Sequence, residues 1–449
     1  MPDPIPNTTP QPKVLILNQF YAPDVASTGH LLHELATDLA KRGFGVKVIT
    51  CRPSYGPPET WVDCPLRETK DGVSVRRMLT TRFSKDRMLG RALNSATFVL
   101  PLMLRMLFAS RKDTVHLYTT NPPFLGVIGS LVSLIRAHRY VLLLHDAYPQ
   151  MAVWVGKIRK GGIIDRLWHF ANRVTYGRAS HTIVLCEAAK KLVCETYGVD
   201  PQRVHVIHNW ADANELRPRP KHDNSFAKQH GLVQPFTLLY SGNLGLYYDF
   251  ETPLGAAEIL RDENVRLVLI GAGGRRQWIA DEIKRRKLTN TILLPYQPIE
   301  RLPESLTACD ASLVSIARGI EGISFPSKLY STLSVGKPVL AISEEDSELR
   351  QMVEDNDVGL WSKVGDPRAL AQNIREMIKD PQRTLARGAR ARAFFEANFT
   401  IEASGSKYAE VLRLAAPDLA GPRSTHATDS DQSGPSLPDT RDAVRDPAA

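Results

Sequence analysis

Short runs of Val, Ile and Leu, each followed by a stretch of helical periodicity, recur along nearly the whole sequence. That alternation is the pattern of a parallel sheet, because crossover connections lay helices on both faces and leave each strand reading as a continuous apolar run. In the first half the expected strands are Val14–Leu17, Val46–Thr50, Val73–Val75, Val115–Tyr118, Tyr140–Leu144, Thr182–Leu185 and Val204–Ile207. In the second they are Phe236–Tyr240, Val265–Ile270, Thr291–Leu294, Ala311–Ile316, Pro338–Ile342 and Val358–Trp361. A chain of 449 residues exceeds what one core supports. The expected architecture is therefore α/β, with two doubly wound domains facing a cleft. A polar, proline-containing connection separates them, giving a lead over 1–12, a first domain over 13–212, a linker over 213–234 and a second domain over 235–414. Residues 415–449, poor in aromatics and large aliphatics, read as a disordered tail.

Composition narrows the function classes. The cysteines, Cys51, Cys64, Cys186, Cys194 and Cys309, are scattered without CxxC or metal-ligand spacing, so they read as reduced thiols and no metal site is expected. The opening MPDPIPNTTPQPK lacks a basic region followed by an apolar core and does not read as a signal peptide. The apolar stretch Ala96–Phe108 is broken by Pro101 and Arg105, too short and interrupted for a membrane span. A formal charge of +9 suits phosphorylated ligands, anionic lipid or nucleic acid. No zinc finger or RNP-like aromatic motif accompanies it, so nucleic acid is not an expected partner.

In a doubly wound domain, ligands bind at the carboxyl ends of the strands, so the chemistry is sought in the loops that follow them. After the first strand, Leu31, Leu32, Leu35, Ala36 and Leu39 predict a helix over Gly29–Arg42, ending at Gly43. Ser27, Thr28 and Gly29 then occupy its first turn, where free N–H groups favour an anion or where Ser27 or Thr28 simply caps the helix. His145 and Asp146 close the strand YVLLL, placed to orient a sugar hydroxyl or exchange a proton. The loop TTNPPFLG is mainly structural, with Asn121 its ligand-facing candidate.

The second half offers two glycine turns. YSGNLG presents Gly242, Asn243 and Gly245, and LIGAGGRR presents Gly271, Gly273 and Gly274 followed by Arg275 and Arg276. Small residues there let backbone amides reach a pyrophosphate, but the spacing lacks the full GxGxxG of hydride-transfer enzymes. Tyr296 and Gln297 end a further strand and sit in an ordinary loop or beside a base. In RGIEGISFPSKLYSTLSVGKPVLAI, Pro326 suits a first helical turn, and Glu321, Ser327 and Lys328 are candidates to grip a phosphorylated ligand, with Lys328 a point charge for phosphate.

Two segments combine basic and apolar residues. One carries Arg76, Arg77, Arg82, Lys85, Arg87 and Arg91 ahead of the apolar stretch through Phe108, and the other carries Lys157, Arg159, Lys160, Arg166, Trp168 and Arg173. They read either as peripheral docking on an anionic membrane or as core helices with a solvated face.

Taken together, FYAPDVASTGHLLHELATDLAKRGFGVKVIT, LLLHDAYPQMAVWVG, VIHNWAD, YSGNLG, LIGAGG and FPSKLYSTLSVGKPVLAI resemble the two-Rossmann-domain (GT-B) glycosyltransferases of family 4, especially those of bacterial surface-polysaccharide assembly. The resemblance spans roughly Lys13 to Leu414. It implies two Rossmann-like domains, with a nucleotide-diphosphate sugar as donor on the second and a growing, polyprenyl-linked surface glycan as acceptor on the first. It further implies hexosyl transfer with retention, no cofactor beyond the donor substrate, and a peripheral place on the cytoplasmic face of the plasma membrane. By position, Gly29 matches the glycine beside the donor diphosphate and His145 the histidine that contacts the transferred sugar. The sequence departs from the family at Asn243, where many members carry a phosphate-binding arginine, and at Ser331 and Ile323, where the two acidic residues of the donor site fall; Glu321 lies two residues from the latter. A nucleotide-sugar epimerase on the same fold and a degenerate, non-catalytic nucleotide-binding subunit are the alternatives.

Overall fold

The computed structural model describes residues 12–24, 26–55, 61–83, 88–109, 113–136 and 138–416, without the side chains of residues 88, 91 and 109. Nearly all of the expected lead and tail, together with Lys85, Arg87 and the Arg91 side chain, lies outside the described residues.

The first half runs β1 (Lys13–Leu17), α1 (Ser27–Lys41), β2 (Gly45–Cys51), β3 (Arg67–Lys70), β4 (Val73–Met78), α2 (Met88–Ala109), β5 (Thr114–Thr119), α3 (Leu125–Arg136), β6 (Tyr140–Leu144), α4 (Gln150–Trp154), α5 (Ile163–Arg178), β7 (His181–Val184), α6 (Glu187–Tyr197) and β8 (Val204–Val206). The second half runs α7 (Ser225–Gln229), β9 (Phe236–Ser241), α8 (Glu251–Ile259), β10 (Val265–Ile270), α9 (Arg276–Arg285), β11 (Thr291–Leu294), α10 (Leu302–Thr307), β12 (Ala311–Ser315), α11 (Lys328–Ser334), β13 (Val339–Ser343), α12 (Glu348–Asp355), β14 (Gly359–Lys363), α13 (Pro367–Lys379), α14 (Pro381–Asn398) and α15 (Ile401–Leu414).

Every expected strand is present, shifted at most by a residue or a few at its ends. The one the apolar pattern does not reveal is β3, sequence RETK, an antiparallel edge strand paired with β4. A charged, exposed edge needs no apolar alternation and discourages pairing with other chains.

The first sheet has the order β3-β4-β2-β1-β5-β6-β7-β8 and the second β11-β10-β9-β12-β13-β14. Apart from β3, all pairings are parallel, with Val14 opposite Val46 and Val115 in the first sheet and Leu238 opposite Leu267 and Ala311 in the second. In each sheet the strand order reverses beside its first strand, between β1 and β5 and between β9 and β12. Crevices at such reversals are where doubly wound sheets bind ligands. The loops after β9 and β12 therefore meet at one crevice, although they are far apart in sequence.

Helix α1 buries Leu32, Leu35, Ala36 and Leu39 at helical spacing against the first sheet. The sequence places Ile401–Leu414 with the second domain, yet α15 packs on α1 of the first half. Arg42 Nη2 donates to the Glu402 carbonyl at 2.8 Å, and Tyr408, Val411 and Leu412 share one apolar core with Leu35 and Leu39. An amphipathic helix is drawn by whichever apolar surface is open to it, and chain order alone does not reveal which.

On the outside of the first sheet, α3 packs between α2 and α5. Helix α2 turns Phe98, Leu102 and Met106 inward and Leu100, Leu104 and Phe108 outward, Phe108 being 82% exposed. Helix α5 is inverted: its buried residues are Asp165, Asn172, Thr175 and Tyr176, while Ile163, Ile164, Leu167 and Phe170 are exposed, Ile163 by 79%.

Candidate functional site

The two glycine turns of the second half lie against each other. Gly242 N–H donates to the Ile270 carbonyl at 2.9 Å, Leu244 N–H to Ala272 at 2.8 Å, and Arg275 N–H to Leu244 at 2.9 Å. Gly271, at φ +148°, allows this closeness, because a Cβ there would fall 1.8 Å from the Gly242 carbonyl oxygen. Arg276 is committed to the scaffold, donating to the Gly271 and Leu294 carbonyls at 3.3 Å. Arg275 lies over the Trp278 ring at 3.8 Å, and Asn243 is exposed at the turn.

Lys328 reaches this turn from the loop after β12. Its Cε stands 3.5 Å from the position a Gly242 Cβ would take, and its ammonium lies 3.4 Å from the Tyr248 ring centroid and 4.6 Å from that of Tyr240. Burial lowers its proton affinity well below that of an ordinary lysine. Among the described residues no carboxylate forms an ion pair with it. Neighbouring Ser327 is exposed and makes no capping bond, and the Ser331 hydroxyl donates back to the Lys328 carbonyl at 3.0 Å.

His145 and Asp146 follow β6, their N–H groups donating to the Thr120 hydroxyl at 3.1 and 3.4 Å. The imidazole Nε2 is buried without a partner among the described residues, and burial pushes the ring's pKa down to about 4. A neutral ring donates or accepts a hydrogen bond near pH 7 but carries no imidazolium proton to give, and its lowered pKa makes it a weak base, which favours orientation. Burial raises the Asp146 carboxyl, opposed by a hydrogen bond from Ser324. Ala147 N–H donates to the Ile323 carbonyl at 2.8 Å, so the loop before Lys328 sits directly on the His145 segment. Asp146 is also near enough to Tyr248 to raise its phenol. The two halves thus bring His145, Asp146, Ser324, Tyr248, Lys328 and the Gly242 turn to one crevice.

Glu321 is placed otherwise. Its Oε1 accepts the Glu348 N–H at 3.1 Å, so it holds the first turn of α12 instead of projecting toward the Gly242 turn. Glu348 in turn accepts the Glu187 N–H at 2.6 Å, with His208 Nε2 at 3.6 Å, and burial beside Glu321 and Glu187 pushes it up to about 7.

In the first half, α1 starts after Ala26 with no side-chain cap, so neither Ser27, which is exposed, nor Thr28 caps the helix. Gly29 is buried, and a Cβ on it would lie 3.1 Å from the Tyr21 nitrogen. The Asn121 carbonyl accepts the Gln19 N–H at 3.0 Å, tying the loop after β5 to the loop after β1. Among the described residues no group of three or more His, Cys, Asp or Glu is arranged to hold a metal ion.

The residues the sequence reading passes over are Tyr248, Ser324 and Glu348. Tyr248 stands three residues past the turn YSGNLG, where the sequence offers Asn243 in place of the family's arginine.

The basic segments are corrected in part. The Arg77 side chain is 1% exposed, pairs with Glu68 at 2.7 Å and donates to the Ala22 carbonyl, so it belongs to the scaffold. Trp168 is stacked between Phe124 and Tyr148, at 4.4 and 5.5 Å. Lys157, Arg159, Lys160, Arg166 and Arg173 are exposed. No helix among the described residues is long and apolar enough to cross a membrane.

Residues 28–210 match the family model described as "Glycosyl transferase 4-like domain" and residues 222–394 the one described as "Glycosyl transferases group 1". The chain is 25% identical over 405 residues to the probable glycosyltransferase WbjE of Pseudomonas aeruginosa, spanning 89% of this chain and 98% of that one. It is 25% identical over 386 residues to the putative colanic acid biosynthesis glycosyl transferase WcaI of Escherichia coli (strain K12), spanning 84% and 94%. Among solved structures, Anabaena HepE in complex with UDP-glucose aligns with a TM-score of 0.64 at 19% identity, over 89% of this chain and 99% of that one. WaaG, a glycosyltransferase involved in lipopolysaccharide biosynthesis, aligns at 0.63 and 16%, over 89% and 99%.

Proposed function

This chain belongs to the GT-B glycosyltransferases of the family 4 type, and from that premise we propose that it moves a hexosyl group, with retention, from a nucleotide-diphosphate sugar to a growing, polyprenyl-linked surface glycan. The observation that carries the donor side is Lys328: a half-buried cation without a carboxylate partner among the described residues, standing at the Gly242 turn. Transfer releases a nucleoside diphosphate, and fixed positive groups at the place where its charge develops lower the barrier. Lys328, backbone amides of the Gly242 turn and the uncapped start of α1 beside Gly29 fill that role.

His145, neutral and without a partner at Nε2 among the described residues, orients a hydroxyl of the transferred sugar, and Asp146 supports that strand end or meets the acceptor. Retention is supported by the placement of Glu321. Inversion needs a base facing the sugar, and Glu321, the acid nearest the family's position, is turned to the Glu348 N–H instead. The solved HepE complexes hold UDP and UDP-glucose, which makes uridine nucleotides the first donors to try.

The acceptor side rests on the outer helices. The exposed apolar residues of α2, α3 and α5 and the neighbouring Lys157, Arg159, Lys160, Arg166 and Arg173 support a peripheral seat on the cytoplasmic leaflet of an anionic membrane, where a polyprenyl-linked acceptor is held. A transfer assay across a panel of nucleotide sugars, comparing wild type with His145→Ala and Lys328→Ala, tests the whole reading. Loss of turnover in both variants is expected, and unchanged turnover in both overturns the site.

A further inference from the structure

Lys328 is the cation whose side chain stands against the Gly242 turn, but nothing on its own loop holds it there. Ser327 and Ser331 do not touch its ammonium, and among the described residues no carboxylate pairs with it. What it lies on is Tyr248, six residues past Gly242 in the same turn, with Tyr240 at the end of β9 behind it. Of the two neighbouring arginines, Arg276 is committed to backbone carbonyls, and Arg275 lies on Trp278 of the helix that follows it instead of on a ring of the Gly242 turn. The turn itself supplies no Arg or Lys between Gly242 and Glu251.

We propose that Tyr248 is a positioning residue for donor binding: its ring face seats the Lys328 ammonium at the Gly242 turn, so that a cation from the loop after β12 serves a turn that has none of its own. The proposal rests on the donor-site reading above. A ring face attracts a cation without pairing its charge, and an incoming diphosphate restores the proton affinity that burial lowers, whereas a carboxylate in that position would compete with the ligand. The Tyr240 hydroxyl donates to the Asn243 carbonyl at 2.8 Å, which keeps the second ring fixed to the same turn. The interaction needs the ring, not the Tyr248 hydroxyl, so phenylalanine should serve and leucine should not.

The test is a double-mutant cycle read by calorimetry with UDP, GDP and inorganic pyrophosphate as probes, on full-length wild type, Tyr248→Phe, Tyr248→Leu, Lys328→Met and the Tyr248→Leu/Lys328→Met pair, each first shown to be folded by its thermal transition. The expected result is a Kd within about twofold of wild type for Tyr248→Phe and raised about tenfold for Tyr248→Leu, with no further loss when Tyr248→Leu is added to Lys328→Met. Equal losses from Tyr248→Leu in both backgrounds, or a Tyr248→Phe loss as large as that of leucine, would overturn the seat while leaving Lys328 as a phosphate contact. Wild type that binds none of the three probes removes the donor-site reading and the seat with it.

Discussion

The Glu348 carboxylate accepts the backbone N–H of Glu187 at 2.6 Å, so an acid at the start of α12 in the second half closes the first turn of α6 in the first. The same carboxyl sits beside Glu321 and is pushed up to about 7 by burial and neighbouring acids. This is a contact between the halves that carries a proton at mildly acid pH.

The sign of its pH dependence follows. A carboxyl whose folded pKa lies above its unfolded value binds more protons when folded, so its ionisation costs stability as pH rises from about 4.5 toward 7 and the cost is constant above. Glu348→Gln keeps an acceptor for Glu187 and removes the charge. The stability of the variant relative to wild type should therefore increase between pH 5 and 8, by up to about 3 kcal/mol. Denaturant unfolding at both pH values checks this, and a difference independent of pH contradicts it.

His145→Ala should lower turnover by about a hundredfold, the usual loss for one oriented hydrogen bond at a reacting centre. Because the ring is neutral well above its pKa of about 4, it contributes no step to the rate profile between pH 6 and 8. His145→Gln should thus share the wild-type profile shape. A limb near pH 6.5 that disappears in His145→Gln would show that the ring exchanges a proton.

Gly271→Ala forces a methyl group onto the Gly242 carbonyl at a backbone conformation that L side chains rarely adopt. We expect a loss of about 3 kcal/mol in stability together with weakened nucleotide binding, because the two turns must separate. Gly274→Ala, whose added carbon meets only Leu246 at 4.0 Å, is the matched control for folding and should leave stability unchanged. Thermal shift with and without nucleotide reads both effects.

Membrane seating predicts that wild type co-sediments with vesicles containing anionic lipid more strongly than with zwitterionic ones. Ile164→Ser and Phe170→Ser each remove one exposed apolar side chain from α5 and should weaken partitioning about tenfold, within the range that burying such a side chain supplies. Wild type that stays in the supernatant, or variants that sediment equally, contradicts the seat.

Strand positions were legible because strands buried on both faces leave continuous apolar runs, as at Tyr140–Leu144, whose residues are all buried. The charged edge strand Arg67–Lys70 leaves no such run. Lys328 and His145 could be found from their places after strands. The Tyr248 partner of Lys328 could not, because the two loops meet only through the reversal of strand order beside β9. Glu321 reads in sequence as a ligand-facing acid, yet its partner is a backbone N–H, which is common to every residue type but proline and leaves no sequence mark. Arg77 reads as surface charge for the same reason: the Ala22 carbonyl that receives it has no signature.

Transfer with retention is tested most directly by following one reaction by NMR, with the nucleotide sugar that the panel assay selects and a polyprenyl-diphosphate-linked glycan acceptor in vesicles. Nucleoside diphosphate should be released in equal amount to the glycoside formed, and the new linkage should keep the anomeric configuration of the donor. Inverted product, or donor converted to another nucleotide sugar without release of the diphosphate, would contradict it.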